Sequence, residues 1–487
     1  MGKNYYIAAI ELSSSKVSGA VGIETTEGFR ILATASTPVD GFISKGVVRN
    51  VDKTCDAISR IINILEDDLK EISIKKAYIS FAGLSVRSIK SKVSKAFGGY
   101  IKITKEIIDD LEEENKNTFL APDGYIKIQV DTQEYKLDGN IDCNPIGAPA
   151  STIECNYLNI VMKEQYYKQL CDSFAGADIE IAGSLSAARL DADIMLSNDQ
   201  RRNGCALVNI GSDTTTISIY NNDKPRMLTV LPLGSNNITR DIASENISLA
   251  NAEEIMVIRG YNSASNDNDH IDSKTLNGII NARMGEILQN VRYQLEESGE
   301  KVHNIVFTGG GSKLKNLGML LEEFLPGFNT EIKPEPKFNL ISESGVNVDG
   351  VITTALYGLL KQDKENCCEE IMPAAQQNEN IFSQEEMSGI ENIEEVEDDK
   401  INAQEEERRR KEEEKRRKEE EKERERARKE EEKIRRHEEK KNKPKKTWGF
   451  GTLFADWVKN VTSDPEDEGT EENGINREEQ GNNNDNQ

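Results

Sequence analysis

The sequence predicts an α/β protein body made of two related halves and followed by a charged tail. Segments rich in alternating β-branched residues, typical of strands, are separated by segments whose apolar residues recur at helical spacing. One strand-turn-strand pattern occurs twice, about 200 residues apart, which indicates an internal duplication. After about residue 362 the apolar content falls sharply, so the remainder cannot offset the entropy of folding compactly.

The strands and helices of the body follow from hydrophobic periodicity. The predicted strands are 5–10, 16–22, 77–81, 205–210, 215–220, 227–233 and 304–307. The clearest predicted helices are 51–69 and 277–297. Strands that alternate with helices in this way are typical of α/β folds.

The internal duplication relates residues 9–18 to residues 207–216. Each copy has a hydrophobic strand, an acid or amide (Glu11 or Asn209), a run of small residues and a second β-rich strand. We therefore expect two related domains that face each other.

Charge and cysteine content exclude several classes of protein. The 487 residues include 62 Lys and Arg against 87 Asp and Glu, and the net charge of −25 argues against general nucleic-acid binding, which needs clustered cations. The 7 Cys include no CxxC pair, so neither a zinc site nor a disulfide framework is indicated, and a reducing cytosol is the simplest setting. We expect no signal peptide in residues 1–10 and no segment that crosses a bilayer.

The tail begins with an acidic linker and continues into a run of Glu, Lys and Arg. Opposite charges at helical spacing favour an isolated extended helix in this run, and a disordered charge run is the alternative. The run has no heptad seam, which argues against a coiled coil. Its expected role is that of a spacer.

Two loops have the composition of a phosphate-binding turn. Small residues at the tip of a strand-turn-strand let backbone N–H groups approach a phosphate oxygen, where larger side chains would block it. The first loop contains Ser13, Ser14 and Ser15 and is followed by Lys16; the second contains Gly211, Ser212, Asp213 and Thr214. Either loop alone is compatible with an ordinary polar hairpin, but the pair on duplicated strands favours a nucleotide site.

A third small-residue loop follows the predicted strand 304–307. Gly309, Gly310, Gly311 and Ser312 combine backbone freedom with a bare backbone that can lie against a nucleoside, and a helix is expected to begin near Lys313. The sequence contains no GxxxxGK[ST] motif, which excludes a P-loop NTPase.

In this order the three loops resemble the two phosphate motifs and the adenosine motif of the superfamily of actin, heat-shock chaperones and sugar kinases. Three further segments, GFISKGVV (41–48), AYISFAG (77–83) and VITTALYG (351–358), closely resemble FtsA, the bacterial cell-division homologue of actin. The resemblance covers residues 5–362. It implies actin-like, duplicated ribonuclease-H-like domains, a small inserted α+β domain, and the binding of ATP with Mg²⁺.

The resemblance also assigns roles to single residues. It places Glu11 and Asn209 at two acidic positions that serve magnesium and water, with Glu11 acting through a magnesium-bound water. Asn209 is an amide, which can orient water but cannot act as a carboxylate base, so we expect at most weak ATP hydrolysis. Asp213 stands where Gly is typical and would put a negative charge near the phosphates.

Three more positions match nucleotide contacts of the family and have a second interpretation. Glu253 would accept ribose hydroxyls, or it belongs to an exposed acidic helix face. Gly234 and Asn237 match the segment after the second phosphate loop, or they cap a helix.

A short segment in the tail has the pattern of a membrane-binding helix. Its apolar residues fall on one helical face: Phe450, Leu453, Phe454, Trp457, Val458 and Val461. Lysines directly upstream favour anionic lipid, and docking on the body or on a partner is the alternative. FtsA proteins also end in such a helix, so the resemblance implies a peripheral protein on the cytoplasmic side of the inner cell membrane, at the division site.

The resemblance implies protein partners as well. It implies that filaments formed by self-association tether FtsZ, the tubulin homologue, to the membrane and recruit later division proteins. The acidic C-terminal peptide of FtsZ would bind residues 236–300, where Arg283 matches a peptide contact and Arg292 lies on the same predicted helix. Either arginine can instead be a solvated helix charge.

Resemblance and composition together divide the chain. Subdomain 1A is expected at 1–83 and 163–203, the inserted subdomain 1C at 84–162, subdomain 2A at 204–235 and 301–350, subdomain 2B at 236–300, and a return helix to 1A at 351–362. The tail comprises the acidic linker (363–400), the charged spacer helix (401–446), the amphipathic helix (447–461) and a disordered acidic tail (462–487).

Two alternative functions use the same fold. One is an ATP-hydrolysing sugar kinase or chaperone, which Asn209 and the amphipathic helix both disfavour. The other is a pilus- or shape-determining actin relative, which association with FtsZ would distinguish.

Overall fold

A computed structural model describes residues 5–370, apart from positions 27, 71, 143, 259–270, 316, 335, 337, 339, 344, 345, 363 and 364. These residues belong to a unit formed by residues 1–371, and residues 372–487 form a second unit. The predictions for the spacer, the amphipathic helix and the acidic tail lie outside the described residues.

The described residues contain strands and helices in several short runs of each. The strands are β1 (Tyr6–Leu12), β2 (Lys16–Thr25), β3 (Gly28–Pro38), β4 (Ile43–Ser44), β5 (Val47–Val48), β6 (Ile72–Ile74), β7 (Lys76–Phe81), β8 (Arg87–Lys102), β9 (Tyr125–Leu137), β10 (Asn140–Asp142), β11 (Pro149–Lys163), β12 (Glu180–Ser186), β13 (Cys205–Ile210), β14 (Thr215–Asn221), β15 (Lys224–Leu231), β16 (Asn304–Thr308), β17 (Asn329–Ile332), β18 (Leu340–Ser342) and β19 (Cys368–Glu370). The helices are α1 (Val51–Leu69), α2 (Lys105–Thr118), α3 (Glu164–Gly176), α4 (Ala187–Met195), α5 (Asn198–Asn203), α6 (Ser235–Ala243), α7 (Leu249–Ile258), α8 (Ser273–Glu297), α9 (Leu317–Phe324) and α10 (Thr354–Leu360).

Two sheets repeat one topology, which confirms the predicted duplication. The first has the order β12-β7-β1-β2-β3-β18, and the second has the order β15-β14-β13-β16-β17. In each, three antiparallel strands that are consecutive in the chain are extended by two parallel strands on the side of the first strand. The predicted α/β class with duplicated halves is therefore correct.

Each sheet is covered by a long helix whose apolar face follows the helical repeat. In α1, Ile58, Ile61 and Leu65 are completely buried, and the side chain of Asn50 caps the helix by accepting from the N–H of Lys53. In α8, Ile280 and Leu288 are completely buried in the core of the second half. Each such side chain contributes roughly 1.5 to 3 kcal/mol when it leaves water, so these faces hold helix and sheet together.

A smaller sheet lies between β7 and α3 in the chain, with the order β10-β9-β11-β8 and α2 packed on one face. Its core is separate and contains Val93, Ile103, Leu111, Ile153 and Tyr157. The small α+β insertion is thus an independent layer with its own apolar cluster.

The predicted elements are present with shifted ends. The strand predicted at 227–233 is Lys224–Leu231, and the helix predicted at 277–297 begins at Ser273, since Asp272 caps it by accepting from the N–H groups of Lys274 and Thr275. Within the described residues, no helix is both long enough and apolar enough to cross a membrane.

Candidate functional site

The two predicted phosphate loops are equivalent four-residue hairpins. The N–H of Ser13 donates to the carbonyl of Lys16, and the N–H of Gly211 donates to the carbonyl of Thr214, at 3.0 and 2.8 Å. Leu12 pairs with Val17 in the first hairpin, as Ile210 pairs with Thr215 in the second. Glu11 and Asn209 therefore occupy the same position of the two hairpins, two residues before the tip.

The tips of both hairpins carry backbone N–H groups that have no acceptor in the part of the chain that the structure describes. Among the described residues, no group accepts from the N–H of Ser14, Ser15, Ser212, Asp213 or Thr214. The carbonyls of Gly211 and Ser212, in contrast, accept from the N–H groups of Ser235 and Asn236 at the start of α6, at 3.0 and 2.8 Å. A loop whose carbonyl groups are hydrogen-bonded and whose N–H groups are unused can bind an anion.

The turn between β4 and β5 brings the two hairpins together. The N–H of Gly46 donates to Ser14 Oγ at 2.7 Å, and the N–H of Lys45 donates to Asp213 Oδ2 at 3.1 Å. A Cβ at Gly46 would lie 2.6 Å from the Cα of Gly83, so the two glycines allow this turn to pack on the end of β7. The GFISKGVV and AYISFAG segments thus position the hairpin tips next to each other.

Asp213 is buried between the two halves. Its carboxylate accepts from Asn236 Nδ2 at 2.9 Å and lies 3.5 Å from Arg240, besides the bond from Lys45. The carboxylate of Asp213 is thus held by donors from both halves of the body.

Glu11 lies beneath the first hairpin with the hydroxyl of Thr353 donating to it. Burial raises the pKa of Glu11 to about 7; the hydrogen bond from Thr353 opposes the shift, the charge of Asp191 adds to it, and Lys16 opposes it. A carboxyl with this pKa exchanges a proton readily near neutrality, and a cation beside it would favour its charged form.

Lys16 extends the first hairpin toward the third loop. Its ammonium donates to the carbonyl of Gly350 and is half-buried. Desolvation lowers the pKa of Lys16, the charge of Glu11 raises it, and the charge of Lys313 lowers it. Lys16, Glu11 and Lys313 are thus close enough to interact, which places the first and third loops near each other.

Sequence reasoning missed Asp191. This carboxylate projects from α4, is 4% exposed, and accepts from Asn209 Nδ2 at 2.7 Å and from the hydroxyl of Thr354. Burial raises the pKa of Asp191, and its hydrogen bonds with Thr354 and Asn209 lower it. The available signal was an acid on a helix face shared with Ala188 and Met195, both buried.

The third loop differs from the prediction. Residues Gly310–Lys313 form a single 3₁₀ turn, and α9 begins only at Leu317, so no α-helix starts near Lys313. A Cβ at Gly309 would lie 2.2 Å from Asn209 Oδ1, and one at Gly311 would lie 2.3 Å from Ile210 Cγ2. Gly309 and Gly311 are therefore needed for close packing on β13. Gly310 faces open space, because no atom lies within 4 Å of a Cβ placed there. Ser312 is 3% exposed, and its hydroxyl donates to the carbonyl of Gly309, so it closes the turn.

The other predicted nucleotide contacts lie on α6 and α7. Asn237 Oδ1 accepts from the N–H of Gly234 at 3.0 Å, which caps α6. Glu253 is exposed on α7, next to positions 259–270, which are outside the described residues. The helix-cap interpretation of Gly234 and Asn237 is the one that the hydrogen bond supports.

Comparisons with known proteins identify the relatives of this chain. Residues 206–344 match the family model described as "Cell division protein FtsA". The protein of that name from Porphyromonas gingivalis is 27% identical over 346 residues, which are 66% of this chain and 71% of that protein; the one from Neisseria meningitidis is 26% identical over 336 residues, which are 64% of this chain and 80% of that protein. The resemblance to FtsA is confirmed.

The fold also matches a solved structure, "PilM-PilN type IV pilus biogenesis complex". The TM-score is 0.53 with 18% identity, covering 73% of this chain and 97% of that one. At this identity the match speaks for the fold alone. Together with the duplicated sheets, it supports the predicted actin-like fold.

The arginines that the FtsA resemblance assigns to a partner peptide lie on α8. Arg283 forms ion pairs with Asp241 and Glu286, the latter at 2.8 Å, and these carboxylates raise its pKa further above the usual arginine value. Arg292 pairs with Glu296 one turn along at 2.8 Å. Both arginine side chains are partly exposed, at 36% and 45%.

Proposed function

We propose that this FtsA-like chain is an ATP-binding adaptor of cell division that polymerises on the inner face of the cell membrane and tethers FtsZ filaments to it. One observation supports the nucleotide site above the others: two equivalent hairpins meet, and their tips hold five backbone N–H groups that no described residue uses. A chain of phosphates satisfies such donors without any change of side chain.

The remaining parts of the site fit a nucleotide. Lys16 supplies a positive charge beside the first hairpin, and Gly310 leaves open space on the third loop. Glu11 would hold magnesium directly or through its bound water, and the ion would supply positive charge that offsets the charge of the phosphates. Asn209 lacks a carboxylate, so the nucleotide acts chiefly as a structural ligand that stabilises the closed form.

Calorimetry on the full chain tests the site directly. We expect saturable binding of ATP in the presence of Mg²⁺, with slow or no steady-state release of phosphate. If saturating magnesium-ATP gives no heat and no rise in thermal stability, the proposed site is wrong.

The FtsZ contact is proposed for α8 on the strength of Arg283 and Arg292. An acidic peptide would replace the carboxylates of Asp241 and Glu286 around Arg283, exchanging one set of charge-assisted hydrogen bonds for another. Co-sedimentation with FtsZ polymers separates this function from that of a pilus or shape protein, for which no FtsZ association is expected.

The membrane contact is proposed for residues 447–461. A single amphipathic helix binds weakly, since the burial of its apolar face is partly offset by the ordering of the segment. Many copies on a filament would bind tightly through avidity, which gives polymerisation a physical role. Flotation with anionic liposomes should retain the full chain and lose a chain truncated after Pro444, and equal flotation of the two would contradict the proposal.

A further inference from the structure

The equivalent positions of the two hairpins carry different chemistry. Glu11 and Asn209 both lie two residues before a hairpin tip, yet one is an acid and the other is an amide. The structure places the carboxylate of Asp191, from the distant helix α4, 2.7 Å from the amide nitrogen of Asn209. The second hairpin therefore has an acid beside it, although that acid does not belong to the hairpin.

Two consecutive threonines hold the two acids. The hydroxyl of Thr353 donates to Glu11, and the hydroxyl of Thr354 donates to Asp191. Thr353 is itself fixed, because its oxygen caps α10 by accepting from the N–H of Leu356 at 3.0 Å. One short segment at the start of α10 thus bonds to both carboxylates.

Asp191 determines how the amide of Asn209 is oriented. Only the NH₂ end of an amide can donate to a carboxylate, so Nδ2 faces Asp191. The carbonyl end, Oδ1, then faces the third loop, where a Cβ placed on Gly309 would lie 2.2 Å from it. Without Asp191, either end of the amide could face the loop.

Asp191 is also a buried acid that no cation among the described residues neutralises. It is 4% exposed, and no Lys or Arg among the described residues forms an ion pair with it; its bonding partners are the neutral side chains of Asn209 and Thr354. A purely structural acceptor at this place would not need a charge, because an amide oxygen would serve the same two donors.

We propose that Asp191 and Asn209 together replace the acid expected in the second hairpin: Asp191 supplies the negative charge and orients Asn209, which faces the magnesium-nucleotide. This inference rests on the proposed nucleotide site. Asp191 is a positioning residue that acts through Asn209, so the pair should tolerate an exchange of acid and amide better than the loss of either.

A double-mutant cycle on the full chain tests this. The variants are Asp191→Asn, Asn209→Asp and the exchanged pair, and the measurements are the affinity for ATP with Mg²⁺, the affinity for ATP in EDTA, and the thermal midpoint. We expect Asp191→Asn to weaken magnesium-ATP binding about tenfold, the usual effect of losing an outer carboxylate, and to change ATP binding in EDTA by less than about twofold. The exchanged pair should restore magnesium-ATP binding to within about threefold of the wild type.

Asp193→Asn is the matched control. It lies on the same helix, pairs with Arg201 at 3.0 Å and has a side chain that is 49% exposed. We expect it to leave the magnesium dependence unchanged. Asn209→Asp alone puts two carboxylates together and should lower the thermal midpoint; if it does not fold, Asp191→Asn and the exchanged pair still decide the question.

The outcomes separate this inference from the proposed function. Wild-type chain that binds no ATP overturns the nucleotide site and the role of Asp191 with it. ATP binding whose magnesium dependence is the same in wild type and Asp191→Asn overturns only the inference, and shows that Asp191 fastens α4 to the sheet.

Discussion

Glu11 shows how a site residue can reduce the stability of the protein that holds it. The carboxyl is desolvated beneath the first hairpin, and its pKa rises from the usual 4.5 to about 7. A folded-state pKa above the unfolded value means that the folded protein binds the proton more tightly between these two pH values. The free energy of unfolding contributed by Glu11 is therefore fully present below about pH 4.5 and is lost as the pH rises through about 7.

Glu11→Gln should remove this dependence. Without nucleotide or metal, we expect the variant to be more stable than the wild type at pH 8 by on the order of 1 to 3 kcal/mol, and the difference to vanish near pH 4.5. Thermal unfolding in EDTA between pH 4.5 and 8 measures it. Glu24→Gln, at an exposed position of β2, is the control, and parallel pH curves for wild type and Glu11→Gln would refute the interpretation.

Asp213 should discriminate between nucleotides by charge. Its carboxylate is on the tip of the second hairpin, so each added phosphate charge nearby is repelled by roughly 1 kcal/mol or more. Asp213→Asn retains an oxygen that can accept from Lys45 and removes the charge. We expect a gain of about tenfold or less in affinity, larger for ATP than for ADP, in calorimetric titrations.

The control for that experiment is Asp223→Asn, in the turn after β14, where the acid pairs with Arg201 at 3.1 Å. We expect no change in either affinity there. A loss of ATP affinity in Asp213→Asn would show instead that the carboxylate chiefly holds the two halves together.

At the scale of elements, the three glycines of the third loop have two different roles: close packing and open space for a ligand. Gly309 has φ of +85° and packs on Asn209, and Gly311 packs on Ile210, whereas Gly310 faces open space. Gly309→Ala should therefore destabilise the fold by on the order of 1 to 3 kcal/mol, because the left-handed backbone and the close contact both disfavour a Cβ.

Gly310→Phe should leave the stability of the fold unchanged and weaken ATP binding. No protein atom lies within 4 Å of a Cβ at this position, so the thermal midpoint is expected to stay within about 2 °C of the wild type. ATP binding should fall at least tenfold, because the ring would fill the space left for a nucleoside. Gly318→Phe, at another open glycine on α9, is the control, and unchanged ATP affinity in Gly310→Phe would move the nucleoside away from this loop.

The hairpins were predictable from sequence because their geometry is local. Strand, small-residue tip and strand all lie within residues 9–18 and 207–216, and the duplicated pattern predicts the duplicated topology. The 3₁₀ turn after β16 was not predictable, since its glycines respond to β13, a strand about 100 residues earlier.

The partners of the two carboxylates were out of reach for the same reason. Thr354 and Asp191 are 163 residues apart in sequence, and Thr353 and Glu11 are 342 apart. No periodicity connects such residues. The FtsA-like segment VITTALYG contains Thr353 and Thr354, but its sequence does not reveal their partners. These contacts form because α10 packs on the first sheet.

At the scale of the whole molecule, the two halves are joined at several separate places. Lys45 binds Asp213 beside the site, and the inserted sheet is bonded to the edge of the second sheet, where the N–H of Leu228 donates to Ser88 Oγ at 2.8 Å. Arg226 of β15 pairs with Glu134 of the insertion at 3.4 Å. A ligand that moves the hairpins relative to each other therefore acts on the whole body, as the proposed structural role of ATP requires.

The proposed partner surface on α8 is occupied by the protein's own carboxylates. Arg283 is engaged by Asp241 and Glu286, so an acidic peptide must compete with them for the guanidinium. Asp241→Asn removes one competing charge, and we expect it to strengthen binding of the FtsZ C-terminal peptide by about threefold to tenfold.

Arg283→Glu should abolish binding of the peptide. Arg292→Glu, whose partner Glu296 is on the same exposed helix face, should weaken binding less. Fluorescence anisotropy with the labelled peptide at two salt concentrations measures all three, and an Asp241→Asn variant that binds more weakly than the wild type would place the peptide elsewhere.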